Sequence, residues 1–340
     1  MLILEIIFPI LSLLIAVAFY TLTERKLIAS IQRRTGPNVV GFFGLLQPLV
    51  DGLKAVFKEQ IKPLRNLFYF FILAPFICFF ISLLLINFIA FNYTRIYYDD
   101  FLNIIFFLGI SSFNVFGILL AGWSSNSKYS LLGGVRGTAQ ILSFEMCFIT
   151  LLLPIFLVSS SFNILDITIL QLNYQNFFLF LPLSIYFFII LLAETNRVPF
   201  DLPEAEAELV AGYNVEYSAI NFAVFFLAEY TNMLVNSCLF VIFFSSPCCF
   251  LLPPIYPHSI FFYSLKSVIV ACIFIVVRAL LPRYRFDQLM NLCWKKILPI
   301  SFIYFLIFIL FIYYFQGFFY NLSLSLVGNP SFFIFIFSKV

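Results

Sequence analysis

The chain has 340 residues, of which 63% are hydrophobic and only 10% charged, and its formal net charge is +3. Soluble domains carry about 25% charged residues, so this composition excludes a soluble enzyme. Apolar runs of about 20 residues recur from end to end, which predicts an all-α polytopic membrane protein whose helices satisfy their own backbone in hydrocarbon. No polar linker is long enough to separate two units, so residues 1–340 are read as a single transmembrane bundle. Compositional drift in an AT-rich genome accounts for the fifty Phe.

Eight spans are predicted, at about Leu2–Leu22, Asn66–Phe91, Phe101–Trp123, Thr138–Ser159, Phe177–Arg197, Ser218–Phe244, Ser259–Leu281 and Ile297–Phe319. The first ends in TERK with no small-residue cleavage site, so it is expected to be a retained span and not a signal peptide. All but three of the nineteen Lys and Arg, namely Arg95, Lys266 and Lys339, fall in loops after odd-numbered spans. The positive-inside rule then places those loops in the cytoplasm or matrix and both termini on the opposite, outer side. No internal repeat is evident, so the inverted-repeat signature of many transporters is missing.

The first inner loop, Thr23 to Arg65, is longer than a connection needs. Gly36, Pro37, Gly41 and Gly44 break its start. From Leu45 to Lys58, Leu46, Leu49, Val50, Leu53, Val56 and Phe57 fall at helical spacing, while Gln47, Asp51, Lys54 and Lys58 take the other face. This predicts an amphipathic helix at the membrane interface over about 45–58, with Pro48 in its first turn; a plain surface anchor would give the same pattern. Gly122–Gly137 reads as a polar inner loop with glycine punctuation. Ser160–Asn176 reads as an outer loop, and the proline- and cysteine-rich outer loop Ser245–Ser259 is assigned no function. The apolar tail after about Tyr320 is too short to cross and is expected at the outer interface or against a partner.

The functional centre is read in Leu192–Ser218. This acidic inner loop holds Glu194, Asp201, Glu204, Glu206, Glu208 and Glu216, more than a third of the chain's sixteen acids, with Arg197 as the only base. Acids also lie inside the spans. Glu145 is about two turns, ~10 Å, into the fourth, and Glu229 about three turns, ~16 Å, into the sixth, with Asn232 and Asn236 on the same face. A carboxylate at that depth costs several kcal/mol unless paired or wet, so it marks a cavity or a proton path; a neutral, hydrogen-bonded structural Glu is the plain alternative. Lys266 either snorkels outward or pairs with a buried acid. Cys78, Cys147, Cys238, Cys248, Cys249, Cys272 and Cys293 show no C-x-x-C spacing, and His258 is the single histidine. Metal, haem or cluster ligation needs closely spaced Cys or His, so no metal and no redox centre is expected here, and the Cys248–Cys249 pair reads as structural.

Four long motifs carry a resemblance. They are TERKLIASIQRRTGPNVVGFFGLLQPLVDGLKAVFKE (Thr23–Glu59), GWSSNSKYSLLGGVRGTAQILSFE (Gly122–Glu145), LAETNRVPFDLPEAEAELVAGYNVEYS (Leu192–Ser218) and RALLPRYRFDQLMNLCWKKILP (Arg278–Pro299). In this order and spacing the chain resembles the subunit-1 family of proton-translocating NADH:ubiquinone oxidoreductase, respiratory complex I, of mitochondrial type. The resemblance implies a membrane-arm subunit that forms the mouth and lining of a ubiquinone chamber. Hydrophilic quinone-reducing and iron–sulfur subunits would cap it on the inner face, with small membrane subunits and phospholipid beside it. It implies Arg25 and Arg34 at the chamber wall and mouth, Asp51 nearby, and Arg197, Asp201, Glu204, Glu206, Arg278 and Arg283 in its charged lining. It further implies Glu145, Glu194, Glu208, Glu216 and Glu229 as the start of a proton path. Ubiquinone would be a substrate bound between subunits. No flavin, iron–sulfur cluster or metal is implied in this chain, which supplies no catalytic base or nucleophile, and no nucleic-acid partner.

The chemistry agrees with that expectation. A quinone channel must open to lipid, stay apolar along its length and turn polar where reduction occurs. Arginines can stabilise the transient negative charge, and staggered acids near neutral pH can pass a proton, because burial and neighbouring carboxyls raise their pKa. Charge change in the chamber would reorder the Leu192–Ser218 loop and alter protonation of Glu145, Glu194 and Glu229. The rival readings are a membrane subunit of a related energy-converting hydrogenase, a stand-alone cation or proton transporter, and a structural anchor without chemistry. The expected compartment is the mitochondrial inner membrane, with a bacterial inner membrane as the alternative.

Overall fold

A computed structural model describes residues 2–61, 63, 66–89, 102–171, 176–203, 212–245 and 260–323. Glu204, Glu206, Glu208, Cys248, Cys249, His258 and the tail after residue 323 lie outside them. All regular elements among the described residues are helical. In chain order they are α1 (Leu2–Ile31), α2 (Gln47–Phe57), α3 (Phe68–Leu85), α4 (Asn103–Ser112), α5 (Asn114–Ser124), α6 (Lys128–Ser159), α7 (Ile164–Leu170), α8 (Asn176–Leu179), α9 (Leu181–Glu194), α10 (Ala219–Phe244), α11 (Ile260–Leu280), α12 (Phe286–Asn291) and α13 (Leu298–Ser323). A π-helical turn, Leu292–Ile297, joins the last two into one rod.

Seven stretches among these residues are long and apolar enough to cross a membrane. The fifth predicted span is not one of them. It divides into α8 and the 14-residue α9, and α9 alone rises about 21 Å against a hydrocarbon core of about 30 Å. The third predicted span is also divided, at Phe113. Just before that break the hydroxyls of Ser111 and Ser112 donate to the carbonyls of Leu108 and Gly109, a local bond that competes with the helical ladder and bends it.

Two segments read as loops contain helix. Gly122–Gly137 leaves only Ser125–Ser127 outside regular helix, because α6 begins at Lys128 with Ser127 capping its N-terminus. The glycines there serve close approach and not turning. A Cβ on Gly122 would stand 2.8 Å from the Ser130 carbonyl oxygen and 3.1 Å from the Gly134 Cα, so α5 and α6 meet backbone to backbone, the contact small residues permit between membrane helices. Ser160–Asn176 likewise carries α7. Pro48 does sit in the first turn of α2, where its missing N–H costs nothing.

The main core gathers buried side chains of α1, α3, α6, α9, α10, α11 and the last rod. Phe187 of α9 lies at its centre, with Phe148, Phe243 and Phe244 rings at 5.0, 5.8 and 5.2 Å. A second, smaller core joins α3, α5 and α10 under the loop that enters α10, where Tyr217 stacks on Phe71 at 4.1 Å. The carbonyls at the end of α10 are capped by the amides of Gln171 and Asn176 and by the Lys266 ammonium, 2.6 Å from the Ser245 oxygen. These bonds satisfy orphan C=O groups, and the cation favours a helix C-terminus. Lys266 is buried, so it does not snorkel to the surface.

Candidate functional site

The charged side chains converge where α1, α10 and α11 meet the loop after α9. Glu24, one turn beyond Tyr20 on α1, is buried. The Tyr230 hydroxyl donates to its Oε2 at 2.6 Å, and the Arg278 guanidinium donates to its Oε1. Arg197, also buried, places Nη1 3.5 Å from Glu24 Oε1 and Nη2 3.8 Å from Glu229 Oε2. Its guanidinium lies 4.4 Å above the Tyr230 ring, a cation–π contact that desolvation strengthens. Glu229 in turn accepts from the Tyr213 hydroxyl at 3.0 Å. The result is a chain of alternating charge, Arg278–Glu24–Arg197–Glu229, with two positive and two negative members. Its Arg278 end is wetter: the Arg278 side chain is 37% exposed, that of Glu24 5%.

The local fold explains how Arg197 arrives there. Gln140 of α6, fully buried, donates from one Nε2 to the carbonyls of Ala193 and Phe200, each at 2.8 Å. The last turn of α9 and the loop behind it are thereby clamped to α6. Asn196 adopts the left-handed conformation, φ 50°, which asparagine tolerates better than most residues. Beyond Phe200, Asp201 pairs with Arg283 at 3.3 Å. Entering α10, Gly133 of α6 lies directly under Gly212 and Tyr213, because a Cβ there would be 2.7 Å from the Tyr213 nitrogen. Burial pushes the nearby Tyr217 phenol above its ordinary pKa, against the lowering effect of its Ser124 hydrogen bond. It therefore stays a neutral group through the physiological range.

The sequence-predicted residues that the structure describes fall into five places. Arg25 and Arg34 line one open cleft of about 400 Å³ with Ile28, Ala29, Thr35, Gly36 and Pro37. Arg25 binds Asp51 of α2 at 2.6 Å, and Gln47 holds the other Asp51 oxygen at 3.0 Å. Arg197, Arg278 and Glu229 meet in the buried chain, while Asp201 and Arg283 form the separate pair. Glu194, at the end of α9, accepts from Asn236 at 3.4 Å and lies within electrostatic range of Glu145. Glu216 is half-buried just before α10. Among the described residues no group of three or more His, Cys, Asp or Glu is placed to hold a metal.

Sequence reasoning missed Glu24, Gln140, Tyr213 and Tyr230. Glu24 was hidden by its neighbours, since TERK reads as the positive flank of a span. The available signal was its spacing: Tyr20 and Glu24 stand four apart on one helix face, next to the same Tyr230, whose ring is 5.9 Å from that of Tyr20.

A family model described as NADH dehydrogenase matches residues 4–309. The chain is 48% identical over 299 residues to the NADH-ubiquinone oxidoreductase chain 1 of Cyanidium caldarium, covering 86% of each chain. It is 48% identical over 301 residues to the protein of the same name from Arabidopsis thaliana, covering 87% of this chain and 92% of that one. An NADH-quinone oxidoreductase subunit of Paramagnetospirillum magneticum is 48% identical over 303 residues, covering 88% of each. Because the family model spans residues 4–309, and these relatives are 48% identical over more than four fifths of the chain, the protein belongs to the NADH dehydrogenase family described by that model.

Proposed function

We propose that this chain is the membrane subunit of a proton-translocating NADH:quinone oxidoreductase that admits the quinone and turns its reduction into charge movement. The observation that carries the reading is Arg197, one buried cation placed between Glu24 and Glu229. The residues expected at a quinone chamber and those expected on a proton path thus share a guanidinium. The open cleft of Arg25 and Arg34, beside the outward apolar face of α2, is the mouth for a lipid-soluble head-and-tail substrate. Negative charge developing near Arg278 and Arg197 weakens their hold on Glu24 and Glu229. The acids answer by taking up protons, and Glu194, Glu145 and Glu216 carry the change onward. Glu204, Glu206 and Glu208 belong to the same inner loop. Eight spans, both termini on the outer side, hydrophilic iron–sulfur and quinone-reducing partners on the inner face and a place in the mitochondrial inner membrane complete the reading; the names of the relatives favour a quinone over the acceptor of a hydrogenase.

The test is Arg197→Lys in the assembled enzyme. Lysine keeps the charge but reaches one carboxylate at a time and loses the planar contact with Tyr230. NADH oxidation with a water-soluble artificial acceptor should stay at the wild-type rate, while quinone-linked turnover falls at least tenfold. Unchanged quinone turnover in assembled variant enzyme would refute the proposal.

A further inference from the structure

The seam between α6 and the last rod holds two thiols that the charge chain does not use. Cys147 and Cys293 are both fully buried and stand 3.2 Å apart, sulfur to sulfur, although 146 residues separate them. The Cys293 thiol also donates to the Ser143 carbonyl at 3.2 Å, and the Cys147 thiol is directed at the Cys293 carbonyl at 3.9 Å. A disulfide is about 2.05 Å long, so the gap to close is about 1.2 Å. Cys293 lies in the π-helical turn Leu292–Ile297. Such turns close each hydrogen bond over one more residue than an α-helix does and recur at functional sites. The sequence neighbours Met146 and Trp294 are 59% and 53% exposed on the outside of the bundle, so the pair lies one residue behind the exposed apolar surface of two helices long and apolar enough to cross a membrane.

We propose that Cys147 and Cys293 are a dithiol modification site that an apolar hydroperoxide of the surrounding lipid oxidises to a disulfide bridging α6 and the last rod. The Cys293 sulfur attacks the terminal peroxide oxygen. The O–O bond breaks, the alcohol leaves with the thiol proton, and Cys293 becomes a sulfenic acid. The Cys147 sulfur then attacks the Cys293 sulfur, the S–O bond breaks, and water leaves with the second thiol proton. Two electrons pass from the thiols to the peroxide. The bridge would fix α6 two residues from Glu145, and a thiol reductant would release it. This inference does not depend on the quinone reading.

The experiment treats the assembled enzyme in its membrane with cumene hydroperoxide, raising the dose until Met146 is found as its sulfoxide. Oxidised Met146 shows that peroxide has reached this face. Free thiols are then alkylated, the subunit is digested, and peptides are identified by mass. The expected result is loss of free thiol at both cysteines together, a peptide joining the 147 and 293 segments, and its separation by a phosphine. In Cys147→Ser enzyme the joined peptide should vanish and Cys293 should appear as sulfinic or sulfonic acid. Two free thiols beside oxidised Met146 would overturn the proposal, and so would wild-type Cys293 over-oxidised with no joined peptide.

Discussion

At the scale of single residues, this protein places its charges in pairs that cancel. Arg197 is held by two carboxylates and a ring, Glu24 by two guanidinium groups and a phenol, and Glu229 by Arg197 and Tyr213. Taking one partner from a buried ion pair costs about 3–5 kcal/mol, because the other is left uncompensated. Glu194 differs, since its hydrogen-bond partner is the neutral amide of Asn236. Glu194→Gln therefore leaves no stranded countercharge and should assemble at wild-type level while cutting quinone-linked turnover and pumping at least several-fold. Native gels and proton-pumping assays on the same membranes separate the two effects, and normal pumping would remove Glu194 from the path. The residues were unequally legible in sequence. Acids inside apolar runs announce themselves, so Glu145, Glu194 and Glu229 stand out in the sequence; Glu24 sits among bases at a span's end, where charge is ordinary. Gln140 gave no signal, because its role lies in two carbonyls that only the fold brings to it.

At the scale of elements, α6 organises the site without carrying its charge chain. It is 32 residues long, about 48 Å at 1.5 Å per residue, so it outruns a hydrocarbon core of about 30 Å. Its N-terminal part bears Gly133, pressed against Gly212 and Tyr213. Backbone cannot yield as a side-chain tip can, and overfilling such a contact costs about 1–3 kcal/mol. Gly133→Ala should lower the melting temperature of the assembled enzyme and cut quinone turnover severalfold by shifting the Tyr213 hydroxyl away from Glu229. Gly52→Ala in α2, where a Cβ meets nothing within 4 Å, is the control and should do neither. Equal behaviour of the two variants would disprove the positioning role of Gly133. Hydropathy marked seven of the eight predicted spans as long apolar helices but not where they begin. The Gly-rich start of α6 looked like a loop because glycine serves both turning and close approach, and sequence alone does not tell the two apart. The amphipathic pattern of α2 was readable, and its Leu49, Val50, Leu53, Val56 and Phe57 do point away from the rest of the chain.

At the scale of the whole molecule, the positive-inside reading sorts the bases by face. It puts the bases of the first inner loop, of the Lys128–Arg136 segment and of Arg278–Lys296 on one side. Lys266 stands apart, buried at the other end against the terminus of α10. Orientation is open to direct measurement. In sealed inner-membrane vesicles, cysteine introduced at Lys54 should react with a membrane-impermeant maleimide only from the matrix or cytoplasmic side, and cysteine at Ser160 only from the opposite side. The reverse pattern would invert the topology and put the charge chain on the wrong face for its proposed partners.

The crossing at Gly122 and Gly134 bears on how such a protein changes through descent. Over most of its oily exterior one bulky side chain can replace another at little cost. At the crossing two main chains occupy the room a single methyl would need. Any replacement of either glycine adds a carbon there and must push the two helices apart, so this point has far less room for change than the greasy coat around it.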